Sequence, residues 1–299
     1  MVLQEMPVAL KNMVKKLQEA GCTVYLFGGV LRDIALGVEP QDWDFAIYGG
    51  IEDIKKLFPE AVLVNSKSKT YFLSCKNDRG EEIEVNISLG SLGSKGGIYE
   101  KLSASNAITF NQMVFDFDSY KVIDFFDGLN DLSKGIIRVS NPNQLPIEIM
   151  MRIAKIVVKY NIEDSRFYID QDTHRAVSIC VENNNIFSND LKVQNWKLLR
   201  SIYFGFLSES LILTFEWWKK LDLLYNLYFP ELEKLPSNKL NDIVERVNRY
   251  PVDEHFNMFL DFLPNEYTAA IKNRLGSYIV PENRVLDIDN KVRSLVSSL

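Results

Sequence analysis

Leu26-Phe27-Gly28-Gly29-Val30-Leu31-Arg32-Asp33, followed by Leu36-Gly37 and then Pro40-Gln41-Asp42-Trp43-Asp44-Phe45, decides how this chain is read. An apolar run rich in β-formers, Cys22 to Phe27, ends in two glycines. A short helical pattern, Leu31 to Leu36, follows and stops at Gly37. Glycines let a backbone come close to a phosphate, and a helix start offers free N–H groups. Trp43 to Tyr48 reads as a second strand. Asp42 and Asp44 stand two apart at its start, and strand side chains at i and i+2 share a face. Two carboxylates on one face, next to a phosphate cradle, make a site for paired magnesium ions. A Gly-Gly turn or an Asp-x-Asp pair alone is common in purely structural roles. Their combination at this spacing carries the functional reading.

The flanking sequence completes an α+β pattern. Met6 to Ala20 is amphipathic, with Leu10, Met13, Val14 and Leu17 on one helical face, and Gly21 ends it. Ile51 to Phe58 reads as helix. Thr70 to Cys75 and Glu82 to Ser88 alternate apolar and polar residues around Asn77-Asp78-Arg79-Gly80, a hairpin signal. Val114 to Phe117 and Lys121 to Phe125 suggest a second hairpin across Asp118-Ser119. Gly90 to Gly97 holds four glycines in eight residues and is expected to be the least ordered part of this region. From Pro146 strand patterns give way to long helical ones, broken by Pro230, Pro236, Pro251, Pro264 and Pro281. The expected organisation is a mixed-sheet head over residues 1–140 and an all-helical neck and body over 141–299.

Composition narrows the function classes. With 299 residues, roughly two domains of ~150 residues are expected. The hydrophobic fraction of 46% and charged fraction of 25% are those of a soluble protein with a real core. No apolar run is long enough for a membrane span, and Met1 to Ala20 lacks the apolar centre of a signal peptide, so a cytoplasmic location is expected. Three cysteines without a Cys-x-x-Cys pair and two histidines support neither a disulfide framework nor a zinc site. Any metal would be held by carboxylates, which suits magnesium. The net charge of −6 argues against a broad nucleic-acid-coating surface, though not against a local basic groove.

The stretch from Gly28 to Asp44 resembles the signature of the CCA-adding enzymes and bacterial poly(A) polymerases: Gly-Gly-x-x-Arg-Asp, a Leu-Gly, then Asp-x-Asp. Every one of those positions is kept here. Looser similarity extends over roughly residues 22–235. Ile83-Glu84-Val85 is similar to the family's strand beside the aspartate pair, which makes Glu84 a candidate third carboxylate. Asp124 to Leu132 is similar to the head–neck hinge, with Gly128 for its turn and Asp131 near the next helix. Glu148 to Lys155 falls where the family reads incoming bases with Glu-Asp-x-x-Arg-x-x-Arg. The resemblance implies transfer of a nucleoside monophosphate from an NTP, ATP or CTP, to an RNA 3′ end, that of a tRNA. Asp42 and Asp44 would hold Mg2+, with Glu84 in the catalytic group. Gly28, Gly29, Arg32, Asp33, Asn111, Glu148, Arg152 and Lys155 would contact the nucleotide.

The departures are as informative. The family's Arg-Arg-Asp-x-x-x-Asn segment, aligned on Asn111, places Ser105, Asn106 and Ala107 where the two arginines and the aspartate belong. In the base-reading helix Ile149 replaces the aspartate and Lys155 the second arginine. A site that loses a hydrogen-bonding group loses discrimination with it. The expectation is altered nucleotide selection, with Ile149 and Arg152 facing one pocket and Ile149→Asp restoring preference for CTP and ATP. Two rival readings are a degenerate paralogue that binds RNA or nucleotide without turnover, and a nucleotidyltransferase acting on a protein or small molecule.

Overall fold

A computed structural model describes residues 2–40, 42–66, 69–90, 107–161, 166–183, 195–277 and 287–298. Seven of the eight residues from Gly90 to Gly97 lie outside this set, as do Ser105 and Asn106. The chain divides into two compact units, Met1–Asn141 and Pro142–Leu299.

The first unit opens with a single turn, α1 (Val2–Glu5), and α2 (Val8–Glu19). The apolar row Leu10, Met13, Val14 and Leu17 is buried as its spacing predicts. Each such side chain contributes roughly 1.5–3 kcal/mol on leaving water. Next come β1 (Thr23–Phe27), α3 (Gly29–Ala35), β2 (Asp42–Tyr48), β3 (Val62–Asn65), β4 (Thr70–Lys76), β5 (Glu82–Leu89), β6 (Val114–Asp116), β7 (Lys121–Ile123) and α4 (Gly128–Lys134). The strands form one seven-stranded sheet in the order β3-β4-β5-β2-β1-β6-β7. Its pairings are antiparallel except β2 with β5, which run parallel at the centre.

The sheet has two chemically different faces. Val24, Leu26, Phe45, Ile47, Val85 and Ile87 are completely buried, and Trp43 nearly so. The alternating residues of the same strands, Phe27, Asp42, Asp44, Ala46, Glu84 and Asn86, are half-buried or exposed. Strand period two thus puts the apolar set into the core and leaves a polar face open. Helices α2 and α3 pack against β1, and α3 also against β2.

Three local expectations change. Ile51 to Phe58 is not a helix: only Ile54–Lys56 makes a 3-10 turn, capped by the Asp53 carboxylate accepting from the Lys55 amide at 2.9 Å. Pro59 stops the segment there, and Val62–Asn65 then pairs as an edge strand that was not anticipated. The second hairpin is shorter than expected. Asp116 accepts from the Asp118 amide and the Ser119 hydroxyl, which begins the turn one residue early. The hinge-like segment forms helix α4, with Asp131 inside it. Asp127, φ 58°, makes the turn expected of Gly128.

Gly128 serves close approach instead. A Cβ there would lie 2.6 Å from the Thr109 carbonyl oxygen and 2.7 Å from the Phe110 Cα. Gly128→Ala is therefore expected to cost about 2 kcal/mol, since backbone cannot yield as a side chain does. A urea midpoint unchanged from wild type would show that the contact relaxes freely.

The second unit is almost entirely helical: α5 (Ile147–Asn161), α6 (Gln171–Asn183), α7 (Asn195–Phe206), α8 (Leu211–Lys220), α9 (Ser237–Val247), α10 (His255–Phe262), α11 (Asn265–Gly276) and α12 (Asp287–Ser298). Tyr168–Ile169 is a two-residue strand, a small exception to the all-helical expectation. The core gathers around Phe206, whose ring meets Phe215, Trp218, Phe229, Phe256 and Phe259 within 6.1 Å between centroids. No helix among the described residues is long and apolar enough to cross a membrane.

Candidate active site

The open sheet face brings the predicted carboxylates together in register. Asp42 and Asp44 lie on the same side of β2, Asp42 exposed and Asp44 half-buried. The parallel pairing of β2 with β5 sets Glu84 opposite Asp42 and Asn86 opposite Asp44. The Asn86 amide donates to Asp44 Oδ1 at 3.1 Å. On the other flank, β1 sets Phe27 opposite Asp44. Gly28 then leaves the strand with φ 86° and ψ −148°, a conformation open essentially to glycine alone. Its missing side chain matters twice, because a Cβ would sit 3.2 Å from Asp44 Oδ2.

Arg32, Asp33 and Asn111 form a second cluster behind the glycine turn. Arg32 donates to Asp33 Oδ1 from Nε at 3.0 Å and from Nη2 at 2.8 Å, and from Nη1 to Asn111 Oδ1 at 2.7 Å. Both side chains are about nine-tenths buried, so the pair is largely shielded from solvent. The guanidinium folds back over Gly29, where a Cβ would meet Nη2 at 2.9 Å. Asn111 is held from the far side. Thr109, in the same 3-10 turn, donates to the fully buried Asp131, which also pairs with Arg138 at 3.0 Å. Ala107 is buried just before this turn, and its carbonyl accepts from the Ser140 amide.

Farther along the open face Tyr25 and Tyr48 meet edge to face at 5.6 Å. Burial, reinforced by Tyr25, pushes the Tyr48 hydroxyl up to about 12. Burial, then Asp116 and Asp118, also raises Tyr25. Both phenols are neutral at working pH and can only donate or accept hydrogen bonds.

Residues 24–88 match the family described as the poly A polymerase head domain. That span contains the glycine turn, both aspartates and Glu84. This segment of the chain is similar to that head domain. The chain is 29% identical over 192 residues to the CCA-adding enzyme of Ligilactobacillus salivarius, covering 59% of this chain and 46% of that protein. It is 25% identical over 262 residues to poly(A) polymerase I of Escherichia coli, covering 80% and 54%. The chain thus spans about half the length of these relatives. Its fold matches the Thermotoga maritima CCA-adding enzyme solved with tRNA at a TM-score of 0.67 and 19% identity, over 99% of this chain and 72% of that one. That likeness supports the α+β fold.

The other predicted residues lie on α5 in the second unit. Ile149 is buried, whereas Arg152 and Lys155 are exposed. The two residues expected to share a pocket thus differ in exposure, Ile149 lying in the apolar row of the helix and Arg152 open to solvent. Lys155 lies 4.0 Å from the centroid of the Phe204 ring, a cation–π contact. Glu148 accepts from Lys197 at 2.6 Å.

Burial alone would raise the Glu148 carboxyl, but the Lys197 hydrogen bond and charge outweigh it, with its own backbone amide and Arg152 assisting, so the net shift is downward. A lowered carboxylate contributes stability that is present above its ordinary value and lost as pH falls through the lowered one. Glu148→Gln should therefore lower thermal stability at neutral pH. The difference should begin to shrink as pH drops below the ordinary glutamate range, ~4.3, and vanish once pH is below the lowered value. Its size should not exceed about 1 kcal/mol, because both side chains are about a third exposed and solvent screens the pair. A difference that persists undiminished in acid would assign it to packing instead.

Asn86 escaped the sequence reading, although it stands two residues beyond Glu84 on the same strand. The links from Asp131 to Thr109 and from Asn111 to Arg32 also escaped it, since no spacing rule joins residues 79 apart.

Proposed function

We propose that this protein is a template-independent nucleotidyltransferase of the cytoplasm. It would move a nucleoside monophosphate from an NTP, ATP or CTP, to the 3′ hydroxyl of an RNA, a tRNA or tRNA-like end, with release of pyrophosphate. The observation that carries this reading is the placement of Asp42, Asp44 and Glu84 on one open face, with the side-chain-free Gly28 against Asp44.

The donor set fits a hard divalent cation: it consists of carboxylate oxygens reachable from solvent. Asp42 and Asp44 would hold Mg2+ with Glu84 beside them, although among the described residues no three acidic, histidine or cysteine side chains are already clustered tightly enough to bind a metal. When bound, the metal pair would supply positive charge to the triphosphate and make the attacking hydroxyl more acidic. The Gly28-Gly29 turn admits a phosphate where any other side chain would collide. Arg32 keeps one positive charge beside that turn, and Asp33 and Asn111 fix its position.

Nucleotide selection in this reading is altered. Ser105, Asn106 and Ala107 supply no arginine pair. Glu148 is engaged by Lys197, and Ile149 offers no hydrogen bond. This supports a protein that does not build an ordered C-C-A end. Single-nucleotide addition to a tRNA lacking its 3′ end, with each NTP in turn, tests it. Efficient addition of two C residues and then one A would overturn the selectivity reading.

The absent arginine pair also favours a second reading, a paralogue that binds RNA or nucleotide without turnover. Incubation with labelled NTPs, Mg2+ and total RNA separates them. Label in RNA supports the transferase, no label anywhere the binding paralogue, and label in protein or a small molecule a different acceptor.

A further inference from the structure

We propose that Asn86 is a positioning residue for Asp44, an inference that rests on the catalytic reading of the aspartate pair. An ionised carboxylate only accepts hydrogen bonds, so the Asn86 side chain must turn its NH2 toward Asp44 Oδ1, as the 3.1 Å contact has it. The opposite oxygen, Oδ2, faces the bare Cα of Gly28. One carboxylate oxygen is thus tethered from β5 and the other is bounded by the glycine turn. The group is held in one orientation on a face where solvent would otherwise leave it free to rotate. Backbone pairing enforces the arrangement, because Asp44 and Asn86 are register partners in the parallel pair of β2 with β5.

The choice of asparagine is chemically pointed. Its neighbour on the same face, Glu84, is the register partner of Asp42 and brings a charge. A carboxylate at position 86 would set two like charges about 3 Å apart across the strands, which both cannot hold without a cation or proton between them. An amide supplies a donor of the same shape and adds no charge. Asp44 is therefore oriented before any ligand arrives. Orientation of ligating groups by hydrogen-bonded neighbours is the usual source of preorganised affinity, with losses of 10–100-fold when such a neighbour is removed.

The test compares wild type, Asn86→Ala and the isosteric Asn86→Asp by three measurements: binding of Mn2+ to the free protein by electron paramagnetic resonance, melting temperature with and without Mg2+, and Mg2+ dependence of transfer. Asn86→Ala should weaken Mn2+ binding roughly 10-fold, raise the Mg2+ needed for half-maximal transfer, and leave the metal-free melting temperature near wild type. Asn86→Asp should melt lower without metal and recover when Mg2+ is added, which a packing role would not produce. Wild-type Mn2+ affinity and Mg2+ dependence in both variants would overturn the proposal, as would absence of Mn2+ binding by the wild type. If Asn86→Ala fails to fold, the metal-dependent recovery of Asn86→Asp decides. If the wild type binds Mn2+ but transfers nothing, the catalytic reading falls, while the Mn2+ comparison still tests Asn86.

Discussion

Asp44→Ala is expected to abolish transfer, by at least on the order of a thousandfold, and to leave the fold intact. Asp42→Ala should behave alike. The reason lies in the two-faced sheet. Trp43, between the aspartates, and Phe45, beyond them, are buried in the core, whereas Asp42 is exposed and Asp44 only half-buried on the opposite face. Truncating either aspartate removes a ligand and no apolar packing. It also relieves like-charge repulsion on the open face, so the melting temperature should stay within a few degrees of wild type, a shift of about 1 kcal/mol at most. The measurement is incorporation of labelled nucleotide into RNA, with a thermal melt on the same preparation. Near wild-type turnover in either variant would end the two-metal reading. A collapse of the melt would mean that the carboxylate is needed for the structure. Asp44→Ala should also leave the Asn86 amide without its acceptor, so Asp44→Ala and Asn86→Ala together should lower Mn2+ affinity less than the two losses added separately.

The head was legible because its signals are local. β1 ends at the Gly-Gly pair, α3 at Leu36-Gly37, and the period-two alternation around Asn77 to Gly80 gives β4 and β5 nearly to the residue. Asp42, Asp44 and Glu84 fell on one face because strand geometry permits no other outcome once register is fixed. Elements set by tertiary pairing were not legible. Val62–Asn65 is too short to announce itself and exists as a strand through β4. The Thr109–Asn111 turn is held by Asp131 and by the close approach of Gly128, contacts that join distant parts of the chain. The family pattern marks Arg32 as a nucleotide contact, but no spacing shows that the fold buries it between Asp33 and Asn111. On α5 the sequence showed which residues differ from the family pattern, but not which side of the helix each occupies. Burial settles that for Ile149 and Arg152.

That burial reverses the expected result at position 149. Ile149→Asp should destabilise the second unit by about 3–5 kcal/mol and should not restore preference for CTP and ATP. Ile149 is 6% exposed and belongs to the row that includes Met150, Ile153, Ala154, Ile156 and Val157, all buried. Arg152 stands one turn on but on the exposed side, so no cation on the same helix turns inward to meet a carboxylate at 149. An aspartate there enters an apolar environment, and its carboxyl pKa must rise above the ordinary value. The sign of the pH dependence follows. A raised folded-state pKa means that the folded protein binds the proton more tightly than the unfolded chain, so the deficit of Ile149→Asp shrinks as pH falls and grows as pH rises. Ile149→Leu, which conserves volume, should cost less than about 1.5 kcal/mol and show no such pH dependence. Urea unfolding of the three proteins at neutral and mildly acidic pH measures both effects. A stably folded Ile149→Asp that adds CTP and ATP in preference to the other nucleotides would put this side chain in the base-reading pocket and restore the sequence-based expectation.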